Sequence, residues 1–245
     1  MDIDTRGAAV GFLVAAVVLG ALVFVAGTGQ VLAALAAIRY RDAALLAVTA
    51  LGWLLAWGLA LRTVLGVLGV SVAPVRAVLL YASAAFSNNV TPFGQAGGEP
   101  FSALLISRAT DSEYERGLAA IASVDALNFV PSVSFALFGV AYYAVRFTVG
   151  DRLLVVVAIL VALAVGVAVG GYAIWRFRER VERLLAGVLA GLFGAVASVV
   201  PRFSAPERES ILDRVEGFFA DIERVAERRQ SVAVALGFSA LGWLC

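Results

Sequence analysis

Apolar residues along this chain occur in long runs separated by short polar stretches. A helix needs about 20 residues to cross about 30 Å of hydrocarbon, so such runs predict membrane spans. The last run stops about five residues short of that length, and we therefore expect residues 1–245 to be a single transmembrane domain that is truncated at its C-terminus. The predicted spans are 8–26, 43–61, 117–146, 153–175 and an incomplete 231–245.

The apolar segment 75–90 differs from the others because a polar, irregular stretch, SNNVTPFGQAGGEP, overlaps its end and continues beyond it. Asn-Asn, Thr-Pro, Phe-Gly and Gly-Gly are turn and helix-breaking signals in quick succession. Non-helical backbone at membrane depth is tolerated only where protein or a wet cavity surrounds it. Segment 75–90 is therefore either a re-entrant segment or a short span that ends in a surface loop.

Residues 176–230 carry a third pattern, in which charged and apolar positions alternate at helical spacing. Apolar side chains recur from Leu184 to Val199 and again from Ile211 to Val225. Acidic and basic side chains fill the other face of the second stretch, which is typical of an amphipathic helix. We predict a cytoplasmic amphipathic helical hairpin that packs against the ends of the bundle, with a partner-docking role as the alternative.

Composition supports a membrane fold. Hydrophobic residues make up 62% of the chain, charged residues 15%, and the mean hydropathy is +0.94. Soluble domains are about 45–50% apolar and about 25% charged. The predicted fold class is an all-α polytopic membrane protein, a helical bundle with a re-entrant segment and the hairpin described above. We expect a multi-pass protein of the cell (plasma) membrane.

The distribution of arginine predicts the orientation. All 19 basic residues are Arg, and 10 of them lie within 176–229. The positive-inside rule places that region in the cytoplasm. Whether the N-terminus lies inside or outside depends on whether segment 75–90 is re-entrant. The net charge of +1 gives no general field that would favour nucleic acid as a partner.

The residue inventory argues against an enzyme. The chain has no His, which is the commonest general base and metal ligand, and its single cysteine is the last residue, Cys245. It also lacks the nucleophile, phosphate-loop and dinucleotide motifs. We expect no catalytic residues, no metal and no cofactor.

Polar residues inside membrane segments are costly and are therefore functional candidates. One group surrounds the irregular stretch after segment 75–90, and a second consists of an Asp and an Asn spaced i, i+3 on one helix face. The predicted substrate-binding residues are Asn88, Asn89, Pro92, Gly94, Gln95, Gly97, Gly98, Glu99, Arg108, Asp125 and Asn128.

Two structural alternatives stand beside that prediction. Pro100 in the first turn of a helix beginning at Gly98 would leave N–H groups free for a lipid phosphate; the alternative is a turn whose polar residues only cap flanking helices. Asp125 needs a partner, and Arg108, Arg116 or the Asn88–Asn89 pair are candidates. A purely structural hydrogen bond is the alternative role for Asp125.

The sequence TPFGQAGGEPFSALLISR, followed by ASVDALNF, resembles the transmembrane region of lysylphosphatidylglycerol synthases, the flippase-like family. The matching features are the turn Pro92–Gly94, the run Gly97–Pro100, the membrane residue Asp125 and the Arg-bearing helix end Leu59–Gly69. The resemblance covers essentially the whole chain.

This resemblance implies translocation or binding of a polar lipid head group, either phospholipid or polyprenyl-phosphate-linked. Asn88, Asn89, Gln95 and Glu99 would line a groove open to the cytoplasmic leaflet, which Asp125 and Asn128 would continue. Membrane lipids are the expected partners, together with a separate glycosyltransferase or aminoacyltransferase. The alternative is a membrane scaffold for such a transferase, without transport.

Overall fold

The computed structural model describes residues 17, 20–91, 94–146, 151–199 and 206–245. Residues 20–26 are helical, and the other helices follow with short connections; the described residues contain no strand. The helices are α1 (Thr28–Ala37), α2 (Tyr40–Val67), α3 (Pro74–Val90), α4 (Gln95–Thr110), α5 (Tyr114–Arg146), α6 (Asp151–Arg176), α7 (Arg178–Val199), α8 (Arg208–Glu227) and α9 (Arg229–Leu244).

Three of these helices are long and apolar enough to cross a bilayer: α2, residues Tyr114–Ala144 of α5, and residues Val155–Arg176 of α6. They coincide with the apolar runs that begin at residues 43, 117 and 153. The all-α membrane fold class is thereby confirmed. Most of the predicted span 8–26 lies outside the described residues, and α9 covers the run 231–245.

The core of the bundle forms around the second half of α2. Its buried side chains recur at helical spacing, so one stripe of the helix faces its neighbours. Helices α3, α5 and α9 all pack against α2. Small residues allow close approach, and a Cβ added to Gly58 would lie 2.6 Å from Val78 Cα on α3. The buried α2 residues are Ala56, Trp57, Gly58, Ala60, Leu61, Val64 and Leu65.

Helices α3 and α4 form an antiparallel hairpin between α2 and α5. Pro74 occupies the start of α3, where a missing backbone N–H costs nothing. An Arg76 Nη2 group donates a hydrogen bond to the carbonyl of Ala109, so the hairpin begins and ends at the same end of the bundle. This geometry favours the re-entrant alternative for segment 75–90. The position of the segment relative to the membrane stays a prediction.

Helices α7 and α8 form the hairpin expected in region 176–230. Helix α8 packs on both α5 and α7. Its buried positions Ile211, Val215 and Val225 belong to the apolar face expected from the sequence. Half of the apolar stripe expected on α7 is exposed, because that helix buries only one side against α8: Leu184, Leu185, Val188 and Leu192 are exposed, whereas Leu189 and Phe193 pack inward.

Candidate functional site

The tip of the α3–α4 hairpin contains most of the polar residues expected to form a site. Thr91 caps α3, and its hydroxyl lies 2.9 Å from Ser87 O and 2.8 Å from Gly94 O. Gly94 has a φ of +57°, a backbone conformation that glycine adopts without strain. Pro92 lies outside the described residues. The tip is therefore a tight reversal held by local hydrogen bonds.

Helix α4 begins earlier than the sequence suggested. A start at Gly98 with Pro100 in the first turn is wrong, because α4 begins at Gln95 and Pro100 lies inside it. The reversal at Gly94 sets the helix start, and the amides of Gly97 and Gly98 already bond to the Gly94 carbonyl. The free N–H groups expected at Gly98 for an anion are thus used within the helix.

Gly98 has a packing role. A Cβ on Gly98 would lie 2.6 Å from both Cα and N of Asn88, so α3 and α4 touch backbone to backbone. The Ser87 hydroxyl of α3 donates to Gly98 O at 3.5 Å across this interface, and the Ser102 hydroxyl donates to the same carbonyl at 2.8 Å within α4. Beside it, Asn88 Oδ1 is buried with no hydrogen-bond partner among the described residues.

The other polar residues of the tip do not converge on one point. The Asn89 amide donates to Ala85 O of its own helix at 2.8 Å, and Gln95 is exposed. Gly94 and Gly97 are half-buried. Arg108 lies nine residues beyond Glu99 on α4, which at 1.5 Å per residue is about 14 Å farther along the helix. Arg108 therefore belongs to the opposite end of the hairpin.

Asp125 on α5 lies within electrostatic range of Glu99 on α4. Each lies eleven residues from the same end of the bundle, counted from Thr110 and from Tyr114, which is a depth of about 16 Å. That is close to the middle of a hydrocarbon layer of about 30 Å. Two carboxylates so placed repel each other unless they share a proton or face a cation.

The partner of Asp125 was not anticipated from the sequence. Arg116, one of the candidates, pairs with Asp221 and Glu113 instead. The second oxygen of Asp125, Oδ2, is buried and has no hydrogen-bond partner in the described part of the chain. The Asp125 side chain therefore carries an unused acceptor in the interior of the bundle.

Helix α9 supplies further polar contacts near Asp125, through Asn128 on the same face of α5. Asn128 Oδ1 accepts hydrogen bonds from Trp243 Nε1 at 2.5 Å and from Ser239 Oγ at 3.5 Å. Ser239 and Trp243 are spaced i, i+4 and therefore share a helix face. This spacing is the feature of the sequence from which the contact could have been predicted. Asn128 therefore joins α5 to α9 and lies one turn beyond Asp125.

Two aromatic residues, Trp57 and Tyr81, also lie in this part of the bundle interior. The rings of Trp57 on α2 and Tyr81 on α3 are stacked, with centroids 5.8 Å apart and an interplanar angle of 10°. Tyr81 also lies within electrostatic range of Asp125. Trp57 is buried, and its Nε1 donor has no partner among the described residues. Sequence reasoning missed Tyr81 because a tyrosine in an apolar run gives no signal of its own.

A charged layer lies at the end of the bundle where α5 begins. Arg116 Nε is 3.4 Å from Asp221 Oδ2, and Arg214 Nη1 is 2.8 Å from Glu115 Oε1. Asp221 is buried, and Arg224 also contacts it at 3.0 Å. These pairs join α8 to α5. Among the described residues, no cluster of three acidic or cysteine side chains has a geometry that would hold a metal ion.

The family model for the lysylphosphatidylglycerol synthase TM region matches residues 9–245. The chain belongs to that family. A UPF0104 membrane protein from Methanothermobacter thermautotrophicus is 33% identical over 174 residues, which are 69% of this chain and 48% of the relative. The aligned region thus spans about half of that relative. No solved structure matches the chain.

Family membership and structure together establish a membrane protein of the lysylphosphatidylglycerol synthase TM and UPF0104 type. Within this family member, the structure brings Glu99 to Asp125 and Asn88 to Gly98. It does not bring Arg108 to the same depth. The predicted site residues therefore divide into an interior pair, a packing contact, and groups that lie apart from both.

Proposed function

We propose that this protein binds a polar lipid head group, phospholipid or polyprenyl-phosphate-linked, and translocates it across the cell membrane. The observation that carries the proposal is the Glu99–Asp125 pair at mid-bundle depth, with Asp125 Oδ2 buried and without a partner among the described residues. Burying acidic groups in a membrane bundle is costly, and the cost is seldom retained without a role. An ammonium or hydroxyl group of a lipid head group would satisfy the free acceptor.

The location of the pair supports translocation. Glu99 belongs to the hairpin and Asp125 to the long helix α5, so the pair lies between two elements that meet through small residues. A Cβ on Gly117 of α5 would lie 2.5 Å from Ala103 O of α4. The proposed path runs between α4 and α5, and the proposed role is transport with no chemical conversion of the lipid.

Reconstitution into liposomes tests this proposal. Crossing of a fluorescent phospholipid, or of a polyprenyl phosphate, is measured for the wild type and for Glu99→Gln with Asp125→Asn. Hydrogen bonds to charged groups contribute about 1.5–3 kcal/mol, so we expect crossing to slow by about tenfold or more. Asp111→Asn is the matched control, since Asp111 is exposed and has a φ of +52°, which Asn tolerates.

The result that contradicts the proposal is equal crossing by the wild type, the double variant and protein-free liposomes. Equal crossing by the wild type and the double variant, both faster than protein-free liposomes, would keep transport but remove the site. Thermal unfolding of each purified variant separates loss of function from loss of fold.

A membrane scaffold for a separate glycosyltransferase or aminoacyltransferase is the second proposal. The observation that favours it is the outer face of α8, where Glu209, Asp213 and Glu216 stay exposed while Arg214 and Asp221 pair with α5. Co-purification of a transferase that is lost on Glu209→Arg with Glu216→Arg would support this proposal. Retention of the transferase in that variant would contradict the docking surface.

A further inference from the structure

A cavity of about 560 Å³ lies at the end of the bundle where α2 stops. Its wall is formed by the last two turns of α2, the loop that follows, and the junction of α8 with α9. The volume falls in the range of about 300–1,000 Å³ that is typical of small-molecule sites. The cavity is separate from the Glu99–Asp125 pair, since none of the residues that line it belongs to α4 or α5.

The charged side chains that line this cavity are cationic. Arg62 and Arg228 both line it, and none of the described residues in its wall is acidic. Neither arginine forms an ion pair with a carboxylate in the part of the chain that the structure describes. Arg116 and Arg178, by contrast, both pair with acids on α8. The two cavity arginines thus present positive charge that no described carboxylate neutralises.

The cavity also offers preorganised polar groups. Arg62 Nε donates to Val72 O at 2.9 Å, which fixes that guanidinium against the loop. Thr63, Ser71 and Ser231 are also among the residues that line the cavity, although the Thr63 hydroxyl donates to Leu59 O within α2. Ser231 is in the first turn of α9, and no side chain caps that helix. The N-terminal end of a helix carries partial positive charge and adds to the field of the arginines.

We propose that this cavity binds a phosphate group, and that the two guanidinium groups are its main ligands. Planar guanidinium groups match phosphate oxygens with paired, charge-assisted hydrogen bonds. The cavity lies at the same end of the bundle as the Arg-rich segment 176–229, which the positive-inside rule places at the cytoplasmic face. An anionic phospholipid of that leaflet and free phosphate share this chemistry. The proposal does not depend on translocation, because it concerns binding at equilibrium.

Calorimetric titration of the full chain in a neutral detergent tests the site. One titration uses phosphatidic acid, a second inorganic phosphate, and a third diacylglycerol, which lacks the phosphate group. We expect Arg228→Gln to weaken phosphatidic acid binding by about five- to tenfold, the effect of losing one charge-assisted hydrogen bond at an exposed position. Arg229→Gln is the matched control. Arg229 is the next residue in the chain and carries the same charge, but its side chain does not line the cavity.

Arg62→Lys provides a second variant, which keeps the charge but loses the planar donor, and we expect it to weaken binding by about threefold or more. Binding of phosphatidic acid without inorganic phosphate assigns the site to a lipid, and binding of both assigns it to the phosphate group itself. The proposal is overturned if neither ligand binds, if Arg228→Gln binds as the wild type does, or if Arg229→Gln weakens binding equally. Equal binding of diacylglycerol, which carries no phosphate, would also overturn it.

Discussion

Gly98→Ala tests whether the α3–α4 hairpin closes through direct backbone contact. The added Cβ would lie 2.6 Å from Asn88 Cα and 2.6 Å from Asn88 N, and it would also overlap Asn88 Oδ1. The first two atoms belong to the backbone of α3, so a change of side-chain rotamer cannot relieve those contacts. The substitution therefore has to push the two helices apart.

The magnitude follows from the overlap. An ordinary contact of a Cβ is 3.4–4 Å, so the helices must separate by about 1 Å, and overpacking of this kind costs about 1–3 kcal/mol. Alanine is the better helix former, which offsets about 0.5–1 kcal/mol of that cost. We expect a net loss of about 1–2 kcal/mol in the free energy of unfolding, together with disruption of the Ser87–Gly98 hydrogen bond between the two helices.

Reversible unfolding of the purified protein in mixed micelles, followed by circular dichroism, measures this loss. Gly139→Ala on α5 is the control, because its added Cβ meets no heavy atom within 4 Å. The two variants make the same chemical change in helices of one bundle. If Gly98→Ala proves as stable as Gly139→Ala, the backbone contact between α3 and α4 does not hold in the protein.

Two further predictions concern the cytoplasmic end. Arg116→Gln leaves the buried carboxylate of Asp221 with Arg224 as its remaining ion-pair partner among the described residues. We expect this variant to lose about 1–3 kcal/mol in the free energy of unfolding, against less than about 1 kcal/mol for Glu113→Gln at the exposed partner of the same arginine. Equal losses would contradict the buried pair. The second prediction uses single cysteines placed at Ser71 and at Glu113 in a chain whose Cys245 is replaced. Both should react with a membrane-impermeant reagent from the same side, because the α3–α4 hairpin begins and ends at one end of the bundle. Labelling from opposite sides would contradict the re-entrant model.

The long apolar helices were predictable because their signal lies within each segment. A run of about 20 apolar residues identifies a helix suited to the membrane without any knowledge of its neighbours. The structure extends the predicted 43–61 to Tyr40–Val67, where the added residues form polar or mixed ends. The start of α4 was missed because it depends on a positive φ at Gly94 and on tertiary contact at Gly98, neither of which local helix rules include.

The interior pair was only half predictable. Asp125 stood out because it is a lone acid in an apolar helix, and Glu99 stood out as a polar residue beside a turn. Their meeting depends on the register of α4 against α5, which the close contact of Gly117 with the backbone of Ala103 sets. A sequence pattern gives the face of a helix but not its register against its neighbour, even across a connection as short as residues 111–113.

Helix α5 links the three polar features of the bundle, and this connection constrains how the molecule can move. Arg116 joins it to α8, Asp125 faces α4, and Asn128 accepts bonds from α9. The contacts with α8 and α9 are hydrogen bonds and ion pairs of defined geometry, whereas the contact with α4 is close packing around a glycine. Packing of small residues permits sliding without breaking a hydrogen bond. If the bundle opens for a head group between α4 and α5, that opening therefore leaves the polar contacts of α5 with α8 and α9 in place.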